Sequence, residues 1–318
     1  MTKTIKPESV TGTAADAGFH AGERAVQQRA GVRPEAGRLS RMLAAAELSG
    51  GIAGFLAGRT FLVITGRDRS GLLWTSPLLG PPGFLDVRSA VELAVHAAIP
   101  AADPLHMIAA GQKVGMTAVE FATRRRVRIN GILTAAASNL LTVEVEQAYG
   151  NCPQYIQQRL LQPSPDTGHD LAGVRHATTL AEGDAQLIRT ADTFFLGTVN
   201  PERGADASHR GGPAGFVRLD GTTCLWWPDY QGNNLFNSLG NLAVDPEAAL
   251  LFFSFRDGRA LQLSGTASVE WDHAGEPGDD AGTGRRVTFA INHLISGRHL
   301  GAREITHSPY PRNPALTD

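Results

Sequence analysis

The chain has 318 residues, about twice the usual length of a domain, so two domains or one large one are expected. With 42% hydrophobic and 19% charged residues it has the composition of a folded chain and is too apolar to be disordered. A formal net charge of -2 leaves no basic footprint for nucleic acid, and the separated Cys152 and Cys224 offer neither a CxxC pair nor structural-zinc spacing.

The amino-terminal MTKTIKPESVTGTAADAG lacks the apolar run of a signal peptide, and no segment reaches the ~20 apolar residues of a membrane span; a cytoplasmic protein with no membrane partner is expected. Residues 1–50 read as a helical segment, with Leu39, Met42, Leu43 and Ala46 at helical spacing over 35–48 and Gly50-Gly51 as the stop. Residues 51–161 read as a first β domain containing FLVIT, VRING and LTVEVE, interrupted by a helix predicted over 87–98. The prolines and glycines of 162–182 suggest a linker. Residues 183–306 form a second β domain, with TFFLGTV, ALLFFSF and ALQLSG as strands. A short helix is predicted over 233–242, capped by Asn233 or Asn234 and carrying Leu235, Leu239 and Leu242 on one side. The tail, 307–318, is expected to be loose.

The two β domains repeat one another. Phe61-Leu62-Val63-Ile64-Thr65 matches Phe194-Phe195-Leu196-Gly197-Thr198 at an offset of 194 minus 61, or 133. Gly80-Pro81-Pro82-Gly83-Phe84 matches Gly212-Pro213-Ala214-Gly215-Phe216 at 132, and Arg128-Ile129-Asn130-Gly131 matches Gln262-Leu263-Ser264-Gly265 at 134. Anchors that hold register this closely point to a duplicated domain, and strand-rich halves with few helices point to two small barrels.

The stretch SHRGGPAGF, from Ser208 to Phe216, places potentially cationic His209 and Arg210 before two glycines. Glycine backbone can bring N–H groups onto an anion, and an arginine fork suits phosphate. The matching positions in the first half, Ser76 and Pro77, carry no charge. The first half instead has Arg124, Arg125, Arg126 and Arg128, of which Arg126 and Arg128 share a strand face; their matches, Ala260 and Gln262, are uncharged. The halves are thus complementary, and a cofactor lodged between two packed barrels would contact both. His96 and His106 lack metal-ligand spacing, HExxH, GxSxG and Walker patterns are missing, and Cys152 and Cys224 read as packing residues.

The succession of elements in the second half, closed by Asn241-Leu242-Ala243-Val244-Asp245-Pro246 and the strand ending at Phe252, resembles the pyridoxamine 5'-phosphate oxidase-related FMN-binding split barrels. FHAGERAVQQRAGV, LGPPGF, ATRRRVRING and YGNCPQYIQQR resemble a two-barrel branch of that superfamily, some members of which are fused to a ferredoxin-reductase module not found in this sequence. The resemblance implies a mainly β fold with peripheral helices, in which two tandem split β-barrels form a pseudo-dimer. It implies FMN as cofactor, with Ser208, His209 and Arg210 on the phosphate side, Trp226, Trp227, Pro228, Asp229 and Tyr230 along the ring or ribityl chain, and Asn233 and Asn234 by the phosphate. The oxidases proper carry an Arg-Lys pair where this chain has Asn233 and Asn234. Arg126 and Arg128 are the candidates for stabilising negative charge on the ring. The implied activity is an FMN-dependent oxidoreductase acting on a small-molecule substrate, with a second copy of the chain or a separate reductase as possible partner and electron donor. The competing readings are a heme-binding protein with His209 as the one axial candidate, a deazaflavin protein, and a non-catalytic flavin-binding or interaction module.

Overall fold

Short β-branched and aromatic runs, stopped by glycine, proline and aspartate turns, become antiparallel strands in the computed structural model, which describes residues 18–43, 47–163, 174–298 and 301–317. Helices α1 (Ala21–Arg29), α2 (Arg33–Leu39) and α3 (Gly50–Ala57) come first. The first barrel follows as β1 (Phe61–Arg67), β2 (Leu73–Leu79), β3 (Leu85–Ser89), β4 (Glu92–Val95), β5 (Lys113–Glu120), β6 (Arg125–Ala137) and β7 (Leu140–Gly150). Then come β8 (Gln158–Pro163), β9 (Arg175–Ala177) and α4 (Glu182–Thr190). The second barrel comprises β10 (Thr193–Asn200), β11 (Gly204–Gly211), β12 (Arg218–Asp220), β13 (Cys224–Pro228), α5 (Asn237–Leu242), β14 (Glu247–Phe253), β15 (Arg259–Glu270) and β16 (Arg286–Arg298), and β17 (Ala302–Ser308) pairs back onto β8.

The first sheet runs β2-β1-β5-β6-β7-β4-β3 and the second β11-β10-β14-β15-β16-β13-β12, the same order strand for strand. The duplication extends to an irregularity. Register slips between Asn130 and Gly131 on β6, and between Ser264 and Gly265 on β15. Only glycine fits either bulge: a Cβ would lie 2.2 Å from the Glu144 carbonyl oxygen at Gly131, and 2.0 Å from that of Ala290 at Gly265.

Side-chain facing refines the alignment in the first hairpin. Leu62 and Phe194 enter their own barrel cores, and opposite them stand Leu78 and Arg210. A strand alternates faces at every residue, so the equivalence there is 132, and the counterparts of Ser208, His209 and Arg210 are Ser76, Pro77 and Leu78.

Each barrel has its own core, and a third cluster joins them: Phe61, Val63 and Phe121 of the first barrel pack with Phe195, Leu251 and Phe253 of the second. Gly115 lets the backbones meet, since a Cβ there would lie 2.3 Å from the Asp206 Cα. At the rim Arg67 grips Glu247 with two bonds of 2.8 and 2.6 Å. The split barrels therefore form a pseudo-dimer within one chain.

Several local expectations change. The helix predicted over 87–98 is the β3–β4 hairpin, because β4 pairs with β7 and sends Leu93 and Val95 into the core; the i, i+4 spacing of Val87, Val91 and Val95 was compatible with both periods. Over 35–48 the helix starts earlier, with a proline in the first turn of α2, and tightens into a 3-10 turn, Ser40–Leu43; Ala46 lies outside the described residues. Gly50-Gly51 opens α3 instead of closing a helix, and α4 begins at the end of the stretch read as linker. The tail expected to be loose over 307–318 is tied down over its described residues, 307–317: Tyr310 N–H donates to Gln157 at 2.7 Å and Thr317 N–H to Asp280 at 2.9 Å. No helix among the described residues is long and apolar enough to cross a membrane.

Candidate functional site

Between the barrels lies an open cleft with about 960 Å³ of space free of protein atoms, its mouth included. Strand β6 contributes Arg126 and Arg128 from the first barrel, and the segment after β7 adds Asn151, Cys152, Gln154 and Tyr155. From the second barrel β11 contributes Ser208, His209 and Arg210, β13 contributes Trp227, and the following loop brings Tyr230, Asn233 and Asn234. Of the twelve residues singled out from the sequence, eleven line one cavity, although Arg126 and Arg210 are 84 positions apart; Trp226 is the exception.

The cleft is rich in donors. Arg126 Nη1 donates to His209 Nδ1 at 2.8 Å and to the His209 carbonyl at 3.3 Å. Arg128 Nη1 reaches Asn237 Oδ1 at 2.9 Å, Asp206 Oδ1 at 3.3 Å and the Tyr149 hydroxyl at 3.3 Å. Arg210 Nη1 stands 3.5 Å from Asp229 Oδ1, a carboxylate also held by Arg285 at 3.0 Å. Among the described residues the Nη2 group of all three cleft arginines has no acceptor. The Nε groups of Arg126, Arg128 and Arg210, with His209 Nε2 and Trp227 Nε1, are buried N–H donors that also lack one.

Charge is unevenly compensated. Asp206 and Asp229 serve Arg128 and Arg210, whereas no carboxylate pairs with Arg126 among the described residues. Burial, then the charges of Arg128 and Arg210, lower the Arg126 pKa to about 9, which leaves it charged at neutral pH. Burial works against the charge of Arg128 too, but Asp206 and Tyr149 outweigh it and its pKa rises. Arg210 is pulled down, chiefly by burial.

His209 differs from its sequence reading as a cationic side chain. It is 5% exposed, and burial followed by Arg126, Arg159 and Arg210 holds its pKa well below the ordinary value, so the ring is neutral. Because Arg126 can only donate, Nδ1 is the acceptor and the ring proton sits on Nε2. Phe195 meets the ring edge-on at 5.5 Å and fixes its plane.

Trp227 is 1% exposed, packs against Phe194 in the core and lines the cleft; Trp226 lies outside, between Arg218 and Arg286 at 5.0 and 5.1 Å. Tyr230 donates to Asp280 at 3.1 Å, and its ring meets that of Tyr155 at 5.0 Å. Asn233 and Asn234 do not cap α5. The N-cap is Phe236, without a side-chain bond, while Asn233 Oδ1 accepts from Leu235 N–H at 3.2 Å and its Nδ2 donates to Asn151 at 3.0 Å across the barrels. Tyr155, Asn234 and Phe236 hold left-handed backbone, with φ of 62°, 61° and 57°, a conformation that costs a non-glycine residue about 1 kcal/mol or more.

Sequence reasoning missed the supports. Asp206, 1% exposed, takes bonds from Asn130 at 3.3 Å and Ser238 at 3.2 Å as well as from Arg128. Its place two residues before Ser208 and four before Arg210, on one strand face, was a usable signal. Glu23 of α1 accepts from Asn237 Nδ2 at 3.0 Å and so braces Arg128 from behind, a contact with no signature 214 residues away in sequence.

Residues 181–278 match the family model described as pyridoxamine 5'-phosphate oxidase. No curated protein matches the sequence. Among solved structures, HupZ of Group A Streptococcus is 10% identical, covering 38% of this chain and 99% of its own, with a TM-score of 0.31. A Clostridium acetobutylicum protein related to general stress protein 26, of the pyridoxinephosphate oxidase family, is 15% identical over 39% of this chain and 92% of its own, with a TM-score of 0.30. A FAD-binding protein from Mesorhizobium loti is 11% identical over 39% and 96%, with a TM-score of 0.29.

Proposed function

We propose that the inter-barrel cleft holds FMN and that the protein is an FMN-dependent oxidoreductase acting on a small molecule, a reading supported by the match of residues 181–278 to the pyridoxamine 5'-phosphate oxidase family model. The observation that carries this reading is the donor set: Arg126, Arg128, Arg210, His209 and Trp227 line one cleft, and each carries an N–H group for which the described residues provide no acceptor. A ligand with several anionic oxygens accepts these bonds and offsets the guanidinium charge, whereas a neutral one leaves that charge uncompensated.

In this reading Arg210, with Ser208 beside it, holds the phosphate end, and Asn233 and Asn234 wall it without charge. Arg126 and Arg128 come from the other barrel and keep positive charge in the cleft at neutral pH. Bound flavin supplies hydride or electron transfer, and the guanidinium charge lowers the cost of the negative charge that added electrons bring. Tyr155 and Tyr230 form an aromatic wall that keeps water from one side. Because one chain supplies both halves of the cleft, a single copy is sufficient for binding.

The heme alternative meets an obstacle in His209, whose Nε2 carries the proton and has no lone pair for a metal while Arg126 occupies Nδ1. A deazaflavin would meet the same donors. Titration of the purified chain with FMN, followed by quenching of flavin fluorescence, tests the proposal: saturable binding is expected, and an Arg210→Ala chain weakened by roughly 10- to 100-fold. Absence of quenching, with no flavin absorbance in the protein as purified, would refute it.

A further inference from the structure

Duplication places a counterpart of the cleft on the other side of the pseudo-dimer, and the chain has filled it with its own side chain. Facing makes Ser76 on β2 the counterpart of Ser208, and the shared bulge makes Gln262 on β15 the counterpart of Arg128. Ser208 and Arg128 line the open cleft. Their counterparts converge on the carboxyl group of Asp103: Ser76 Oγ donates to Oδ1 at 2.6 Å, Gln262 Nε2 donates to Oδ2 at 3.2 Å, and Leu105 N–H donates to Oδ1 at 2.9 Å. Gln262 is held in place by the Thr75 carbonyl at 3.1 Å and is fully buried, so the donor pair bridges the two barrels as Arg128 and Ser208 do.

Asp103 belongs to the connection between β4 and β5. The matching connection in the second half, between β13 and β14, is the one that walls the open cleft with Tyr230, Asn233, Asn234 and α5. In the first half this connection folds inward and leaves Asp103 3% exposed. The other counterparts have lost their charge accordingly: Leu78 stands for Arg210, Pro77 for His209 and Ala260 for Arg126. Among the described residues no lysine or arginine pairs with Asp103, so three neutral donors hold this carboxyl in place of the guanidinium groups of the open side.

We propose that the side of the pseudo-dimer opposite the open cleft retains an anion seat between the barrels, built by Ser76, Gln262 and the Leu105 N–H, whose permanent occupant is the Asp103 carboxyl, so that the chain takes one anionic ligand and not two. The inference rests on the reading of the open cleft as an anion site, and the two can fail separately. In calorimetric titration of the full chain with FMN, one equivalent per chain is expected, and two equivalents would overturn the proposal. Asp103→Ala vacates the seat while leaving its donors. That variant is expected to melt several degrees higher in sodium formate than in sodium chloride of equal ionic strength, whereas the wild-type chain melts alike in both. A variant whose melting formate moves no more than the wild type's would overturn the seat. If Asp103→Ala folds in neither salt, the wild-type stoichiometry decides. A wild-type chain that binds no FMN would remove the reading of the open cleft and leave the formate comparison to decide the seat alone.

Discussion

Arg126→Met separates what the cleft needs for binding from what the fold needs for stability. The drop of the Arg126 pKa from the ordinary guanidinium value to about 9 corresponds to a penalty of about 5 kcal/mol on its charged form, an upper bound because the side chain is only half-buried. Against this stand the bonds to the His209 ring and carbonyl at 2.8 and 3.3 Å, whose loss leaves a buried ring nitrogen without a donor and costs about 1–3 kcal/mol. Methionine fills similar space without charge, so the ligand-free variant is expected to be more stable by about 1–3 kcal/mol, a rise in Tm of about 2 °C per kcal/mol. Its Kd for FMN should rise by roughly 10- to 100-fold, the worth of one charge-assisted bond. Thermal melts in flavin-free buffer without phosphate measure the first effect and fluorescence titration the second. A variant that melts lower and binds FMN as tightly as the wild type would show that Arg126 is a structural brace, and the reading of the cleft as an uncompensated cationic site would fall with it.

Arg210→Ala should weaken FMN binding by about 1.5–3 kcal/mol, and unchanged affinity in the same titration would take Arg210 out of the site. Burial raises the Asp103 carboxyl from 3.8 to about 6. The folded chain therefore binds a proton that the unfolded chain releases, and stability falls by about 3 kcal/mol as pH rises from 4 to 6. Chemical denaturation across that range should show this fall in the wild type relative to Asp103→Asn; identical slopes would exclude it. His209 acts in the opposite sense, since its lowered pKa lets the unfolded chain take up protons first, so His209→Gln should be less sensitive than the wild type to acid below about pH 6.5 in the same assay. Gly265→Ala forces a Cβ to within 2.0 Å of the Ala290 carbonyl oxygen and should cost more than about 3 kcal/mol or prevent folding, which soluble yield and urea melts report.

What could be read from the sequence was whatever recurs locally. The strands FLVIT and TFFLGTV, the matching glycines 131 and 265, and the duplication all follow from period, turn chemistry and self-similarity, which need no partner to be visible, whereas the bulges at those glycines do need one. The cationic residues were legible locally too, Arg126 and Arg128 as charges on one face of a strand and Arg210 as a cation placed before two glycines. The 87–98 hairpin was misread because spacing alone does not distinguish a helix face from a strand that pairs with β7.

Tertiary structure alone decided the ionisation and the pairing. That His209 is neutral depends on burial beside Arg126, from the other barrel, and that Arg128 keeps its charge depends on Asp206 and on Glu23 acting through Asn237. The seat around Asp103 was equally invisible, because Ser76, Asp103 and Gln262 are unremarkable residues until two sheets bring them within hydrogen-bond distance. Local sequence carries the backbone preferences that build each barrel. The free energy of a charge is set by the dielectric and the partners around it, and those come from chain segments that meet only when the barrels pack.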